Sequence, residues 1–92
     1  MGLKYGTIII MIECEQSALK HWLTPAQIDY VFRHPVAVFE VESRTPGDRV
    51  MAILGYVDEF RERRIELLVS QRTRKVFHAM DCREEWQPYF KD

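Results

Sequence analysis

Arg63-Arg64-Ile65-Glu66-Leu67-Leu68-Val69-Ser70-Gln71-Arg72-Thr73-Arg74-Lys75-Val76-Phe77-His78-Ala79-Met80 reads as two β-strands joined by a short basic loop. Ile65, Leu67 and Val69 alternate with Arg64, Glu66, Leu68 and Ser70, the period of two expected when one strand face meets a core and the other meets solvent or a ligand. From Arg61 to Lys75 six cations stand against two carboxylates, a local charge of +4, so the rest of the 92-residue chain carries −5. That asymmetry permits a local anion site, while the total of −1 argues against phosphate-backbone binding over the whole surface. The competing reading is a solvated hairpin rim whose charges blunt edge-to-edge pairing.

The length suits a single domain, 1–92, with one modest core, and 47% hydrophobic residues keep it away from the composition of disordered chains. Cys14 and Cys82 are distant and neither belongs to a CxxC pair, so free thiols are expected. The apolar run Ile8 to Ile12 is short and is followed by Glu13 and Glu15, which suits neither an export signal nor a membrane span. The expectation is a cytoplasmic protein with no structural disulfide. His21, His34, Cys14 and Cys82 lack metal-ligand spacing, and no nucleophile elbow, HExxH or Gly-rich phosphate loop occurs, so neither metal nor cofactor is implied.

In chain order, Thr7 to Ile12 is expected as a first strand. Glu15 to Trp22 places Ala18, Leu19 and Trp22 at helical spacing, with Trp22 expected in the core. Thr24-Pro25-Ala26-Gln27 carries a Thr N-cap, Pro at the first helical position and Gln three residues after the cap. The helix it opens should bury Ile28, Val31 and Phe32 and stop near His34, because Pro35 cannot continue it. Val36 to Glu42 is a second strand, Pro46-Gly47 suits the centre of a type II turn, and Arg49 to Val57 is a third strand. Asp58 to Glu62 leads into the hairpin quoted above. Cys82 to Gln87 reads as a short helix before Pro88, with Trp86, Tyr89 and Phe90 docking on the sheet. The fold class is α+β: an N-terminal strand and two short helices, then a mostly antiparallel four-strand meander and a short C-terminal helix, with the helices on one side.

Leu19-Lys20-His21 through Pro35, with a basic-His pair, a hydrophobe, Thr and a helix ending Val-Phe-x-x-Pro, resembles the front half of BrnT-type toxins of the RelE/ParE superfamily. Val69-Ser70-Gln71-Arg72 and Val76-Phe77-His78-Ala79 resemble that family's later strand pair, so the likeness covers roughly residues 17 to 90. The family's last strand reads close to Ile-Ser-Ala-Arg, and Met80 stands where its arginine would be. The resemblance implies a ribonuclease toxin of a type II toxin–antitoxin pair, held by a cognate antitoxin and cutting mRNA by attack of a ribose 2′-hydroxyl on the adjacent phosphate. Such a cut needs a base, an acid and cations that offset charge on the phosphate oxygens. His78, Arg72 and Arg64 are the catalytic candidates, and Arg63, Arg74, Lys75, Tyr89 and Lys91 the candidates for RNA or phosphate contact. The alternative, favoured by Met80 and the low net charge, is a non-catalytic interaction module working through homodimer or partner contacts. For Trp22, Trp86, Tyr89 and Phe90, core or interface duty competes with base stacking.

The facing of His78 depends on strand register. An odd number of residues in the loop puts it on the face of Leu68 and Ser70, an even number on the core face with Leu67 and Val69; the outer face is preferred here.

Overall fold

The computed structural model describes residues 11–90. The expected first strand therefore falls mostly outside the described residues; Met11 and Ile12 lie inside them and take no strand conformation. Helix α1 (Pro25–Arg33) is followed by β1 (Ala37–Val41), β2 (Val50–Tyr56), β3 (Arg64–Ser70) and β4 (Val76–Asp81), an antiparallel sheet in the order β1-β2-β3-β4. A 3₁₀ turn at Gln16–Leu19 precedes α1 and a second, Glu84–Phe90, follows β4. The α+β class is as expected from the sequence.

The start of α1 follows its residues closely. Thr24 Oγ1 accepts from the Gln27 backbone N–H at 3.1 Å, and Gln27 Oε1 accepts from the Thr24 N–H at 2.9 Å, so two donors otherwise lost at a helix end are satisfied. His34 closes the helix by donating its N–H to the Tyr30 carbonyl before Pro35. Ile28 and Val31 are fully buried, but Phe32 stays half exposed at the margin of the apolar stripe. Asp29 is buried instead, its carboxylate accepting from the Ile12 N–H at 2.9 Å and from Arg33 Nε at 2.6 Å. The helix lies so close to β2 that a Cβ on Gly55 would come within 3.1 Å of Val31 Cγ1 and 3.2 Å of the His34 carbonyl, which glycine alone avoids. At the β1–β2 turn Asp48 N–H donates to Thr45 O and Gly47 takes φ +82°, the left-handed position a type II turn requires.

Trp22 is not core. It is 92% exposed, and Leu23 is buried in its stead. The helical spacing that pointed inward assumed one continuous helix to Trp22, whereas the 3₁₀ turn ends at Leu19 and Trp22 adopts φ 65°, swinging its ring outward and Leu23 inward. A bulky residue in the left-handed region costs about 1 kcal/mol, which glycine would not incur. Trp22→Gly should therefore raise stability by about 1 kcal/mol in urea melts, and Trp22→Ala should stay within about 0.5 kcal/mol of wild type rather than show the loss of an emptied core site.

The sheet is covered on both faces, not one. On the first face Ile53, Ile65, Leu67, Val69, Val76 and Ala79 pack under Ile28 and Val31 of α1 and Ala18 of the first 3₁₀ turn. On the second, Leu54, Cys82 and Phe90 form a smaller core flanked by Phe39, Tyr56 and Trp86. The second 3₁₀ turn lies on this opposite face because Trp86 meets Phe39 edge-on at 5.2 Å and Tyr89 stacks on Phe39 at 4.8 Å, so the expected aromatic docking does occur. That turn starts two residues later than the expected helix and runs through Pro88. Cys14 and Cys82 are free thiols. Among the described residues no helix is long and apolar enough to cross a membrane.

The register of the β3–β4 hairpin combines both parities. Beside the turn Val69 pairs with Val76, which encloses an even loop, and Arg74 at φ 61° closes it in place of a glycine. A bulge then intervenes, so that Leu68 pairs with His78 and Phe77 is the extra residue. The displaced Phe77 carbonyl accepts the Ser17 hydroxyl, so the bulge leaves no orphan acceptor there. Beside it Val76 forms a parallel bridge with Cys14, through bonds from Glu15 N–H to Val76 O and from Val76 N–H to Glu13 O. His78 consequently shares the face of Leu68, by way of the bulge rather than loop length alone.

Candidate functional site

Alternation along β3 sends Glu66 to the second face, opposite Leu54 on β2 and Met80 on β4. The residue is fully buried. A carboxylate there is tolerable only if its oxygens are saturated with donors, and they are. His78 Nε2 lies 2.9 Å from Oε2, Arg83 Nη2 donates to Oε2 at 2.7 Å, Arg83 Nε approaches both oxygens, and the Arg83 backbone N–H donates to Oε1 at 2.7 Å. The outward face of the strand was expected to meet solvent or ligand; at Glu66 it meets protein, because Arg83 and the following 3₁₀ turn fold over it.

Burial alone pushes the Glu66 carboxyl up, but the hydrogen bonds from His78 and Arg83 and the Arg83 charge outweigh it and hold it down to about 2. Cys82 nearby is pushed up to about 11 by burial and by the Glu66 charge, which leaves it an inert thiol. Arg83 lies 3.8 Å over the Trp86 ring centre, a cation–π contact that fixes the guanidinium plane.

Two chemical consequences follow. A carboxylate only accepts, so the His78 Nε2 facing it carries the hydrogen, and Nδ1 is the nitrogen at which a proton can come and go. Arg83 uses Nε and Nη2 on Glu66, while its Nη1 donates to nothing among the described residues. His78 and Arg83 keep 26% and 38% of their side-chain surface exposed, so the buried carboxylate orients two reachable groups. This is the arrangement of a base held by a third group.

The other expected site residues are not gathered here. Arg64 donates to Gln87 Oε1 at 2.9 Å and lies 5.1 Å over the Phe90 ring. Arg72 lies beyond the other end of β3, a strand that itself spans about 20 Å, so Arg64 and Arg72 cannot share one phosphate. The Arg72 backbone N–H is held by Asp48 at 3.1 Å, and Asp48 also takes the Ser70 hydroxyl at 2.7 Å, which ties the two hairpin turns together. Those bonds, the Ser70 bond first, hold the Asp48 carboxyl below the usual range. Arg63 is paired with Asp81 at 2.7 Å and Lys75 with Glu13 at 3.9 Å; Arg74 is exposed at the loop corner. Tyr89 stacks on Phe39, which stands at the far end of the row Phe39, Ala52, Leu68, His78, about 14 Å from His78 by strand spacing. Lys91 lies outside the described residues. The basic segment is therefore several separate rims, because the extended strand β3 carries Arg63 and Arg64 to one end and Arg72, Arg74 and Lys75 to the other.

Arg83 did not stand out in the sequence. The one signal was Glu66 itself, an acid inside Ile-Glu-Leu-Leu-Val, which demands a donor once the strand is covered. Among the described residues no group of three or more His, Cys, Asp or Glu is placed to hold a metal. Compared with known proteins, the chain matches no family model, no curated protein and no solved structure.

Proposed function

We propose that the chain is a toxin-like ribonuclease of the RelE/BrnT kind, with its proton-handling group at His78. The observation that carries the reading is the Glu66-centred pair of His78 Nδ1 and Arg83 Nη1. The helix, four-strand meander and C-terminal turn in that order also support it. In the reaction His78 Nδ1 takes the proton of a ribose 2′-hydroxyl as its oxygen bonds to phosphorus. The bond from phosphorus to the 5′-oxygen breaks, and that oxygen takes a proton from water. Glu66 stabilises the imidazolium so formed, and Arg83 Nη1 offsets charge on a phosphate oxygen. Arg83 here takes the part the sequence reading assigned to Arg64 and Arg72.

Induced expression in a bacterial host, read by growth and total-RNA integrity, tests the reading: wild type should stop growth with fragmented RNA. Arg72, on its distant turn, should act as a single phosphate contact. Arg72→Ala is expected to lower the log–log salt slope of single-strand RNA binding by about 0.7 and to leave kcat unchanged.

A second reading has its own observation. Arg63, Arg64 and Lys75 are engaged within the fold, and Val36, Val38 and Phe60 are exposed apolar side chains. These favour an interaction module that meets an antitoxin-like partner or a second copy. A folded wild type that neither binds nor cuts RNA would select it.

A further inference from the structure

A cleft of about 330 Å³ opens where the C-terminal end of α1 meets the end of β2 and the loop after it. Its lining includes Tyr30, His34, Tyr56, Asp58, Arg61 and Phe90, none of which belongs to the Glu66 cluster.

Aromatic rings make its walls. Tyr30 and His34 stack at 4.3 Å, and Tyr56 meets Phe90 edge-on at 5.2 Å. Polar groups stand among them with capacity to spare. His34 Nδ1 lies 3.1 Å from the Tyr30 carbonyl, which only accepts, so Nδ1 carries the hydrogen and Nε2 is left for another partner. Asp58 Oδ1 accepts the Phe60 N–H at 3.0 Å, leaving Oδ2. Arg61 is exposed, and its guanidinium carbon lies 5.8 Å from the Tyr56 ring centre. Its backbone φ is 58°, a conformation that glycine takes at no cost and arginine does not.

The combination narrows the occupant. An apolar ligand would leave Asp58 Oδ2 and the Arg61 guanidinium unused, and a bare anion would ignore the aromatic walls and meet the Asp58 carboxylate. An unstacked base with its phosphate uses the rings and both charges: ring faces for the heterocycle, a carboxylate oxygen for an exocyclic amino group, a guanidinium for the phosphate. We propose that this cleft holds one nucleotide of a single-stranded RNA, its amino-bearing base against the Tyr30, His34 and Tyr56 rings and its phosphate on Arg61. The inference rests on the RNA reading above and names where the strand is gripped. Arg64, the cross-strand neighbour of Tyr56, links the cleft to His78, whose partner Leu68 lies about 13 Å further along the same face of β3.

Cytidine 5′-monophosphate is the probe, because cytosine presents the amino group Asp58 can accept. Titrated into the full chain and followed by NMR, it should give saturable shifts at Tyr30, His34, Gly55 and Tyr56. Arg61→Gly suits the test, since it deletes the guanidinium and relieves the backbone; it should weaken binding about tenfold. In RNA cleavage the same variant should raise KM with kcat unchanged. Inorganic phosphate at equal concentration should leave these resonances in place. The proposal is overturned if the nucleotide moves nothing in the cleft, if phosphate alone reproduces the shifts, or if Arg61→Gly binds as wild type. The two readings fail separately: nucleotide in the cleft without RNA cleavage removes the ribonuclease and keeps the site, and RNA cleavage without nucleotide binding does the reverse.

Discussion

Glu66→Ala should lower stability by about 3–5 kcal/mol, the range for removing one partner of a buried ion pair. The carboxylate is fully buried and is the shared acceptor of the His78 ring, the Arg83 guanidinium and the Arg83 backbone N–H. Its loss leaves four N–H donors, His78 Nε2, Arg83 Nε, Arg83 Nη2 and the Arg83 backbone N–H, without their acceptor. For a domain of this size each kcal/mol moves Tm by about 4–8 °C, so a fall of more than about 12 °C is expected. The pH dependence isolates the charge. The Glu66 carboxyl sits at about 2 in the fold against an ordinary 4.5. The group therefore adds stability that is complete above pH 4.5 and is lost as pH falls toward 2, a contribution of about 3 kcal/mol. About 2 kcal/mol of it should be gone by pH 3. Urea melts at pH 7 and pH 3 check this against Glu66→Gln, which keeps the shape without the titration. Equal pH losses in the two proteins would show that the carboxylate is not held ionised by its neighbours.

His78→Ala should lower RNA cleavage by roughly 10²- to 10⁴-fold, the usual contribution of a positioned general acid or base. Binding should stay nearly intact, because the imidazole faces Glu66 through Nε2 and offers one ring nitrogen to substrate. The side chain is partly exposed, so the fold should survive its loss, although Glu66 keeps only its Arg83 bonds. His78→Gln distinguishes chemistry from support: it can still donate toward Glu66 and hold the cluster, yet it has no ring nitrogen to take the 2′-hydroxyl proton. Single-turnover cleavage with matched melting curves is the measurement. A His78→Gln rate equal to wild type would remove His78 from the reaction and leave it a structural partner of Glu66.

Local chemistry alone determined several parts of this protein. Thr24, Pro25 and Gln27 place the start of α1, and Pro35 its end, because a helix terminus must satisfy its own backbone donors within one turn. Pro46-Gly47 sets the β1–β2 turn through dihedral limits of two residues. The alternation Ile65, Leu67, Val69 marks the core face of β3, since successive side chains on a strand oppose each other whatever they pack against. Tertiary structure decided the rest. Trp22 points outward because the chain turns left-handed after a short 3₁₀ segment, a choice made by which neighbour fills the core. Arg64 and Arg72 belong to different ends of β3 because a strand extends about 3.3 Å with each residue. Glu66, His78 and Arg83 meet because a bulge shifts β4 by one residue and the following turn folds over the sheet. No local period encodes such a meeting: it is set by the need of one buried carboxylate for donors, which only the assembled faces can supply.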